Sequence, residues 1–337
     1  DVCAYQTTPY VYRCDLTDGS GGYVITLPAG TYEVWFTPRD YHVAEYYDDV
    51  PLHAYGEHTP VTVSAGTVTA GINASLAPGA RVIGRVTDET TGDPIPNVDV
   101  YVAGGPNGDY FVYANVGADG VYTTTPGLPP GSYEVEFDDV SGSYATEYYP
   151  GVYRPDLAAP LEISEHDRTD VDATMTRTAT ISGLVTGSGP LEDINVRVYF
   201  AETGQYVGSD CSDAAGISRV TGLGPVAHTV FFTDDAGRYL AEWYDNKTDW
   251  ETADPIPLTS GVTTTINAKL AVAGAIHGTV TAQHDGSPLE GIGVTLYDAT
   301  TYDTLTSVST DVGGGYRIGG LSTGTYKVRF VDHDGDY

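Results

Sequence analysis

The stretch GSYEVEF at residues 131–137 decides the fold, because its alternating pattern returns three more times along the chain. The other copies are GTYEVWF at 30–36, VAHTVFF at 226–232 and GTYKVRF at 324–330. Their final phenylalanines lie 101, 95 and 98 residues apart, which is the length of one β-sandwich domain. The sequence therefore predicts a tandem array of about four similar β-rich units.

A turn signal and a strand signal precede each copy. The turns are TDGSGGY from Thr17, GADGVY from Gly117, SDAAGIS from Ser212 and TDVGGGY from Thr310. Aspartate and glycine supply the side-chain hydrogen bond and the positive φ of a tight turn. Further upstream, NVDVYVAG at 97–104 alternates valine with other residues, which is typical of a strand with one buried face. We align the N-terminal DVCAY with this strand from Asn97.

The composition favours strands and turns and excludes several kinds of partner. The 337 residues include 41 Gly, 20 Pro and 27 Tyr but one Met, which is not the composition of a helical protein. A formal net charge of −31 repels phosphate groups, so we expect neither nucleic acid nor an anionic membrane as partner. No run of 18 apolar residues occurs, so we also expect no membrane insertion.

The spacing of the copies predicts four domains. We expect an incomplete sandwich without its first strand at 1–79, complete sandwiches at 80–177 and 178–272, and a sandwich without its last strand at 273–337. Linkers of only a few residues, such as 77–80, predict end-to-end packing in a semi-rigid rod. The incomplete domains have two explanations: a segment cut from a longer array, or strands supplied by neighbouring subunits.

The signature D-x-x-G-x-Y followed by L-x-x-G-x-Y-x-V-x-F, with G-x-V upstream, resembles the carboxypeptidase regulatory-like domain. The resemblance implies a seven-stranded transthyretin-like, or prealbumin-like, β-sandwich of the general immunoglobulin-like kind. It also implies accessory, surface or stalk modules without catalytic residues. The third copy departs most from the pattern, because Ser218 replaces the turn tyrosine and VAHT replaces G-x-Y.

The similar Cna B-type repeats of bacterial adhesins carry a Lys–Asn isopeptide bond that needs a lysine in the first strand. Here the corresponding strands hold Arg81, Arg85, Ile181, Ile276 and His277. We therefore predict no such crosslink.

Catalytic motifs are absent from the sequence. There is no G-x-S-x-G, no H-E-x-x-H and no Walker-type loop, and the glycine clusters lie in predicted turns. We therefore predict that the protein is not an enzyme.

Two kinds of ligand site remain as weak hypotheses. Asp332, Asp334 and Asp336 alternate near the C-terminus, and clustered carboxylates favour calcium, although a solvated acidic turn is the competing interpretation. Asn73 and Asn246 begin N-x-S/T triplets, which matter only in a cell that glycosylates secreted proteins. We expect no cofactor apart from this calcium.

The three cysteines give one disulfide candidate. Cys3 and Cys14 flank the turn at Thr8-Pro9 symmetrically, as opposed residues of a hairpin do. A disulfide there implies an oxidising compartment, whereas two free thiols are the alternative. Cys211 is left over, and its role stays open.

An acidic and aromatic cluster follows each predicted V-x-F strand except the last. It reads EYY at 45–47, EYY at 147–149 and EWY at 242–244; we call these three segments the EYY clusters. In a structural interpretation, an aromatic ring packs over the sandwich and the glutamate caps a loop. In a functional interpretation, the aromatics are contacts between domains or subunits or stack on carbohydrate. The interface candidates are Tyr46, Tyr47, Tyr148, Tyr149, Trp243 and Tyr244.

These features favour a structural subunit or segment of an extracellular filament, stalk or surface fibre. We expect self-association with neighbouring subunits and an extracellular or cell-surface location. The alternatives are an adhesin module that binds carbohydrate or another cell-surface ligand, and a non-catalytic accessory segment of a secreted enzyme.

Overall fold

The computed structural model describes residues 1–52, 56–108, 110–164 and 168–332. Strands dominate it, and the helices among these residues are the two short 3₁₀ turns Pro155–Leu157 and Trp250–Thr252. No helix in the described residues is long and apolar enough to cross a bilayer. The chain divides into two compact units, Asp1–Thr178 and Ala179–Tyr337. The all-β, tandem β-sandwich prediction is confirmed.

The four-domain division stays a prediction, and we use it only for names: repeat 1 (1–79), repeat 2 (80–177), repeat 3 (178–272) and repeat 4 (273–337). In repeat 1 the strands are β1 (Val2–Gln6), β2 (Val11–Asp15), β3 (Gly30–Phe36), β4 (Glu45–Tyr46), β5 (Val50–Pro51) and β6 (Val61–Val63). In repeat 2 they are β7 (Arg81–Asp88), β8 (Asp99–Gly104), β9 (Tyr110–Asn115), β10 (Val121–Thr123), β11 (Gly131–Asp138), β12 (Glu147–Tyr148), β13 (Leu161–Ile163), β14 (Arg168–Asp170) and β15 (Ala173–Met175).

The second unit repeats this order. In repeat 3 the strands are β16 (Ala179–Thr186), β17 (Asn195–Phe200), β18 (Tyr206–Cys211), β19 (Ile217–Leu223), β20 (Ala227–Thr233), β21 (Glu242–Trp243), β22 (Ile256–Pro257), β23 (Thr263–Thr265) and β24 (Ala268–Lys269). In repeat 4 they are β25 (Gly274–Thr279), β26 (Gly293–Asp298), β27 (Thr304–Ser309), β28 (Gly315–Leu321) and β29 (Tyr326–Val331).

Repeat 2 shows the complete sandwich most clearly. One sheet has β7 at its centre, antiparallel to β10 and parallel to β14 and β15. The other has the order β12-β11-β8-β9, with β13 also on β11. β12 and β13 pair with opposite ends of β11 on the edge away from β8, so they act as one interrupted edge strand. Repeat 3 has the same two sheets around β16 and β20.

The two aromatic positions of the sequence signature meet between the sheets. The turn tyrosine Tyr122 and the phenylalanine Phe137 of V-x-F form an edge-to-face pair with ring centroids 5.9 Å apart. Matching pairs join Tyr23 to Phe36 at 6.1 Å and Tyr316 to Phe330 at 5.7 Å. Such pairs add about 0.5–1.5 kcal/mol beyond burial, so the signature fixes how the two sheets face each other. In repeat 3, Ser218 removes this pair.

The tyrosine of G-x-Y stabilises the bend before its strand. Its hydroxyl donates to the carbonyl four residues earlier at 2.9 Å for Tyr32, 2.8 Å for Tyr133 and 2.7 Å for Tyr326. His228 lies at the same register position in repeat 3 and is fully buried. Its Nδ1 lies 2.9 Å from the carbonyl of Val226, while its Nε2 has no partner. Burial lowers the pKa of His228, which keeps this ring neutral.

The registers correct one alignment made from the sequence. Val2 pairs with Phe36 as Val100 pairs with Phe137, so Asp1 corresponds to Asp99. The alignment of DVCAY from Asn97 is therefore wrong by two residues. A shift of two residues leaves the same side chains facing the core, so both alignments agree with the alternation pattern.

Candidate functional site

The segment before each EYY cluster is hydrogen-bonded to the residues at the boundary between its repeat and the next. In repeat 1, the Val43 N–H donates to the Ala77 carbonyl at 2.8 Å and the Gly79 N–H to the Tyr41 carbonyl at 2.7 Å. We call this pair of bonds the linker bridge. The short backbone pairing fixes the terminal residues of the repeat, so they are not a flexible tether.

The linker bridge recurs with the same geometry in repeats 2 and 3. Its bonds run from Ala145 to Thr176 at 2.9 Å and from Thr178 to Ser143 at 3.0 Å. In repeat 3 they run from Leu240 to Ala271 at 2.8 Å and from Ala273 to Arg238 at 2.9 Å. The same arrangement therefore holds the residues at three repeat boundaries against the segment before the EYY cluster.

Repeat 2 adds an ionic contact at its bridge. Asp88, at the end of β7, accepts from the Tyr144 hydroxyl at 2.7 Å and from Arg177 at 2.9 Å. The hydrogen bond from Tyr144 is the main cause that lowers the pKa of Asp88 to about 2, with backbone N–H donors and the Arg177 charge acting in the same direction. The residue before the repeat boundary is thereby tied to the first strand of its own repeat.

The glutamate of the second EYY cluster is bonded to the end of its repeat. Glu147 is 2% exposed, and its Oε1 accepts from the Thr176 N–H at 2.9 Å. Burial raises the pKa of Glu147 to about 7; the hydrogen bond from Thr176 opposes the shift and the charge of Glu89 supports it. Burial also raises the pKa of Glu45 and of Glu242. The carboxyl groups of all three EYY clusters are therefore partly withdrawn from water.

The second aromatic of each EYY cluster packs against the core of its own repeat. Tyr47, Tyr149 and Tyr244 are half-buried and contact the three core clusters. Their N–H groups donate to the carbonyls of Val34, Val135 and Val230 respectively. These contacts explain why the position is aromatic in all three repeats, and the proposed role of these residues between subunits stays a prediction.

The first aromatic lies on the outer face of the same sheet, and in repeats 1 and 3 it packs against other rings there. Trp243 packs against Phe231 with centroids 4.8 Å apart and against Tyr199 at 5.3 Å. Tyr46 packs against Trp35 at 6.2 Å. Tyr148 lies opposite Glu136 across β11 and β12, and burial raises its pKa to about 12. We call the aromatic rings on this side of the sheet in repeats 1, 2 and 3 the outer aromatic faces.

The outer aromatic face of repeat 2 is the most open to solvent. Phe111 is 60% exposed and Tyr113 is 45% exposed, and both pack on Tyr101, with centroids 5.8 and 5.7 Å apart. The Tyr113 hydroxyl donates to Asp99 at 2.8 Å. Exposed rings held side by side are anchors for a protein surface or for sugar rings.

Most members of the outer aromatic faces were not predicted from the sequence. Those outside the EYY clusters are Tyr12, Trp35, Tyr101, Phe111, Tyr113, Tyr199, Tyr206 and Phe231. They come from strands that are distant in sequence and adjacent in the sheet. The usable signal was the alternation itself, since these residues occupy positions that a half-buried strand turns away from the core.

The remaining predicted sites are scattered. Cys3 and Cys14 face each other across β1 and β2 and form a disulfide with an S–S distance of 2.06 Å. Cys211 is a free, exposed thiol. Asp332 is described, whereas Asp334 and Asp336 lie outside the described residues, and no group of three or more possible metal ligands occurs among those that are described.

The two glycosylation candidates lie outside the strands. Asn246 lies in the turn after EWY with a φ of 61°. Asn73 is exposed and lies beside a groove of repeat 1.

A family comparison matches the model for the carboxypeptidase regulatory-like domain at residues 81–176 and 275–335. These segments correspond to repeats 2 and 4, and both carry the turn tyrosine after G-x and the later G-x-Y. The resemblance stated from the sequence is thereby confirmed. A search of curated proteins found no match.

The chain is also similar, at low scores, to solved structures that include two pilins. It has 13% identity and a TM-score of 0.25 to the Bacillus anthracis TIE protein, over 91% of this chain and 55% of that one. It has 11% identity and a TM-score of 0.33 to GBS52, the minor pilin of Streptococcus agalactiae, over 57% of this chain and 95% of that one. For BcpA, the major pilin subunit of Bacillus cereus, the identity is 10% and the TM-score 0.21, over 76% and 90% of the two chains.

Proposed function

Because the chain contains carboxypeptidase regulatory-like domains at residues 81–176 and 275–335, we propose that it is a structural subunit or segment of an extracellular filament, stalk or surface fibre. The observation that carries the proposal is the recurrence of the linker bridge in three consecutive repeats. A catalytic site is built once, whereas a load-bearing or spacing element repeats its connection.

Contacts between repeats 1 and 2 support a mechanical role. The Gly127 N–H donates to the His42 carbonyl at 2.9 Å, and Val43 packs against the core of repeat 2. The Tyr110 hydroxyl donates to the Ala44 carbonyl at 3.3 Å. A Cβ on Gly127 would overlap the Tyr41 carbonyl, so only glycine allows this close approach.

The outer aromatic faces are the proposed sites of self-association. They present rings on the outer side of the corresponding sheet in repeats 1, 2 and 3, while the net charge of −31 favours solubility of the separate subunits. Apolar burial is largely independent of salt and charge repulsion weakens as salt is added. Assembly should therefore increase with ionic strength.

Light scattering of the purified chain across a salt series tests this proposal. The variant Phe111→Ser with Tyr113→Ser should assemble less than the parent, because it removes two exposed rings. Val121→Ser is the matched control, since Val121 is 40% exposed on a strand of the other sheet. Equal assembly of the parent and the double variant would contradict the assigned surface.

A carbohydrate-binding adhesin is the second candidate, and the exposed rings of Phe111 and Tyr113 favour it. The same double variant is preferable to replacing Tyr149, which packs against the core. Glycan-array binding that the double substitution abolishes, with circular dichroism unchanged, would favour this candidate. Salt-promoted assembly without glycan binding would favour the filament.

A further inference from the structure

The outer face of repeat 2 carries a group of acidic side chains beside its exposed rings. Glu134, Glu136 and Asp138 alternate along β11, and Asp99 of β8 pairs with Asp138. The residues between them on β11 are buried in the core, so the carboxylates lie on the solvent side of the sheet, with Glu136 directly opposite Tyr101. We call Glu134, Glu136, Asp138 and Asp99 the acidic patch.

The acidic patch has no basic partner in the part of the chain that the structure describes, because the ion pairs found there involve other carboxylates. Burial raises the pKa of Glu136, and the charges of Asp138 and Glu134 raise it further. Carboxylates that repel one another in this way favour a partner that brings positive charge.

Repeat 4 carries basic side chains at the matching positions of the corresponding sheet. One core pair fixes the register in both repeats, Val100 with Phe137 and Val294 with Phe330. Three residues and one residue before this phenylalanine, repeat 2 has Glu134 and Glu136. Repeat 4 has Lys327 and Arg329 there, and both are exposed. We call Lys327 and Arg329 the basic patch.

The basic patch is unusual in so acidic a chain. Lysine and arginine number 15 against 46 aspartates and glutamates, and no other two of the 15 stand two positions apart. The other two repeats have no base at either position, which is occupied by Glu33 and Trp35, and by Thr229 and Phe231. Lys327 lies over the exposed ring of Tyr302, with its Nζ 3.5 Å from the ring centroid. Two neighbouring positive charges at these positions are therefore particular to repeat 4.

The two patches match in spacing as well as in sign. Residues two positions apart in a strand are separated by about 7 Å, so Glu134 and Glu136 have the same separation as Lys327 and Arg329. Two sheets that pack face to face, about 10 Å apart, bring both pairs together in one contact. The exposed rings beside the acidic patch also offer a stacking surface to the Arg329 guanidinium.

We propose that the acidic patch of repeat 2 binds the basic patch of repeat 4 on a second copy of this chain. The contact presupposes the self-association proposed above and names the two surfaces that meet. Because the two patches differ, each bound copy keeps one patch free. The contact therefore continues into a ring or an open fibre and does not end at a dimer.

Energy transfer between chains that carry a donor or an acceptor fluorophore on an added terminal tag tests the contact. The decisive variant is Glu134→Lys with Glu136→Lys. It makes the chain less acidic, so weaker general repulsion alone would strengthen association. Reversal of the patch should instead raise the apparent dissociation constant between chains at least about ten-fold, because like charges then meet. Salt screens both effects, so all chains are compared at one ionic strength.

Exchange of the charges shows which surfaces meet. The variant Lys327→Glu with Arg329→Glu should also fail to bind its own copies. Mixed with the first variant, it should bind to within about three-fold of the parent, because each chain then meets a complementary patch on the other. This rescue also shows that both variants are folded. The matched control is Glu192→Lys with Glu251→Lys, two exposed positions of repeat 3, which makes the same charge change and should bind at least as tightly as the parent.

The outcomes separate this contact from the filament role. Parent chains that associate although neither reversal weakens them, or reversed variants that do not bind each other, would overturn the contact and leave the filament role in place. An equal loss of binding in the control variant would overturn it as well, since the effect would then not belong to the patch. Parent chains that do not associate would refute both.

Discussion

The buried glutamate of the second EYY cluster should make the stability of the first unit depend on pH. Glu147 has an ordinary pKa of 4.5 that burial raises to about 7 in the folded chain. A tenfold change in proton affinity corresponds to about 1.4 kcal/mol, so the raised pKa of Glu147 contributes about 3 kcal/mol to the free energy of unfolding. The folded state holds the proton more tightly than the unfolded state does. The contribution is therefore complete below pH 4.5 and is lost as the pH rises through 7.

The variant Glu147→Gln should remove this dependence. Glutamine keeps an oxygen that can accept from the Thr176 N–H and has no proton to lose in this range. We expect the unfolding free energy of the parent to fall by up to about 3 kcal/mol between pH 4.5 and 8, and that of the variant to change much less. Glu162→Gln, an exposed position on β13, is the matched control.

The assay is urea unfolding at several pH values, with hydrogen exchange of residues 131–138 as a local probe. The local probe is needed because a chain with two compact units need not unfold in one step. The exchange data isolate β11, whose end pairs with Glu147. Parallel pH profiles for the parent and Glu147→Gln would refute the reasoning, since the carboxyl group would then not titrate in the folded state near neutral pH.

Three further substitutions follow from local contacts. His228→Tyr should raise the unfolding free energy by about 1 kcal/mol, because a phenol can reach the carbonyl four residues earlier. It should also remove the loss of stability below pH 6.5 that follows from the lowered pKa of the histidine. A lower urea midpoint for the variant would contradict this. Gly183→Val should cost at least about 3 kcal/mol, because its Cβ overlaps the Ile266 carbonyl; a melting temperature within two degrees of the parent by circular dichroism would oppose it. Cys14→Ser removes a disulfide that closes a short loop and should cost about 2–3 kcal/mol, with no additional effect of reductant on the variant; an unchanged melting curve would argue against a stabilising role.

Much of the fold was predictable from the sequence because the signature residues have local roles. In three of the four turns, an aspartate, such as Asp311, accepts from N–H groups two and four residues later. The tyrosine of G-x-Y, such as Tyr133, bonds four residues back. Interactions between residues two to four positions apart leave a recognisable pattern in a single stretch of sequence.

The outer aromatic faces were not predictable in the same way. Tyr101 and Phe111 meet because β8 and β9 pair in one particular register, and a register is a property of two segments together. The EYY clusters were visible as a sequence oddity, but the pKa of Glu147 is raised by burial in the folded chain. Sequence patterns report what a residue is near in the chain, and these properties depend on what lies near it in the sheet.

Negative-stain electron microscopy of the protein isolated from its native source tests the central claim most directly. The account predicts uniform fibres much longer than one chain, assembled from identical subunits. A second sample treated with a chelator tests the calcium hypothesis separately, because fragmentation of the fibres would show that a bound cation is part of the contact between subunits. Single particles no longer than one array of repeats, at every salt concentration and with or without chelator, would contradict the proposed role as a filament subunit.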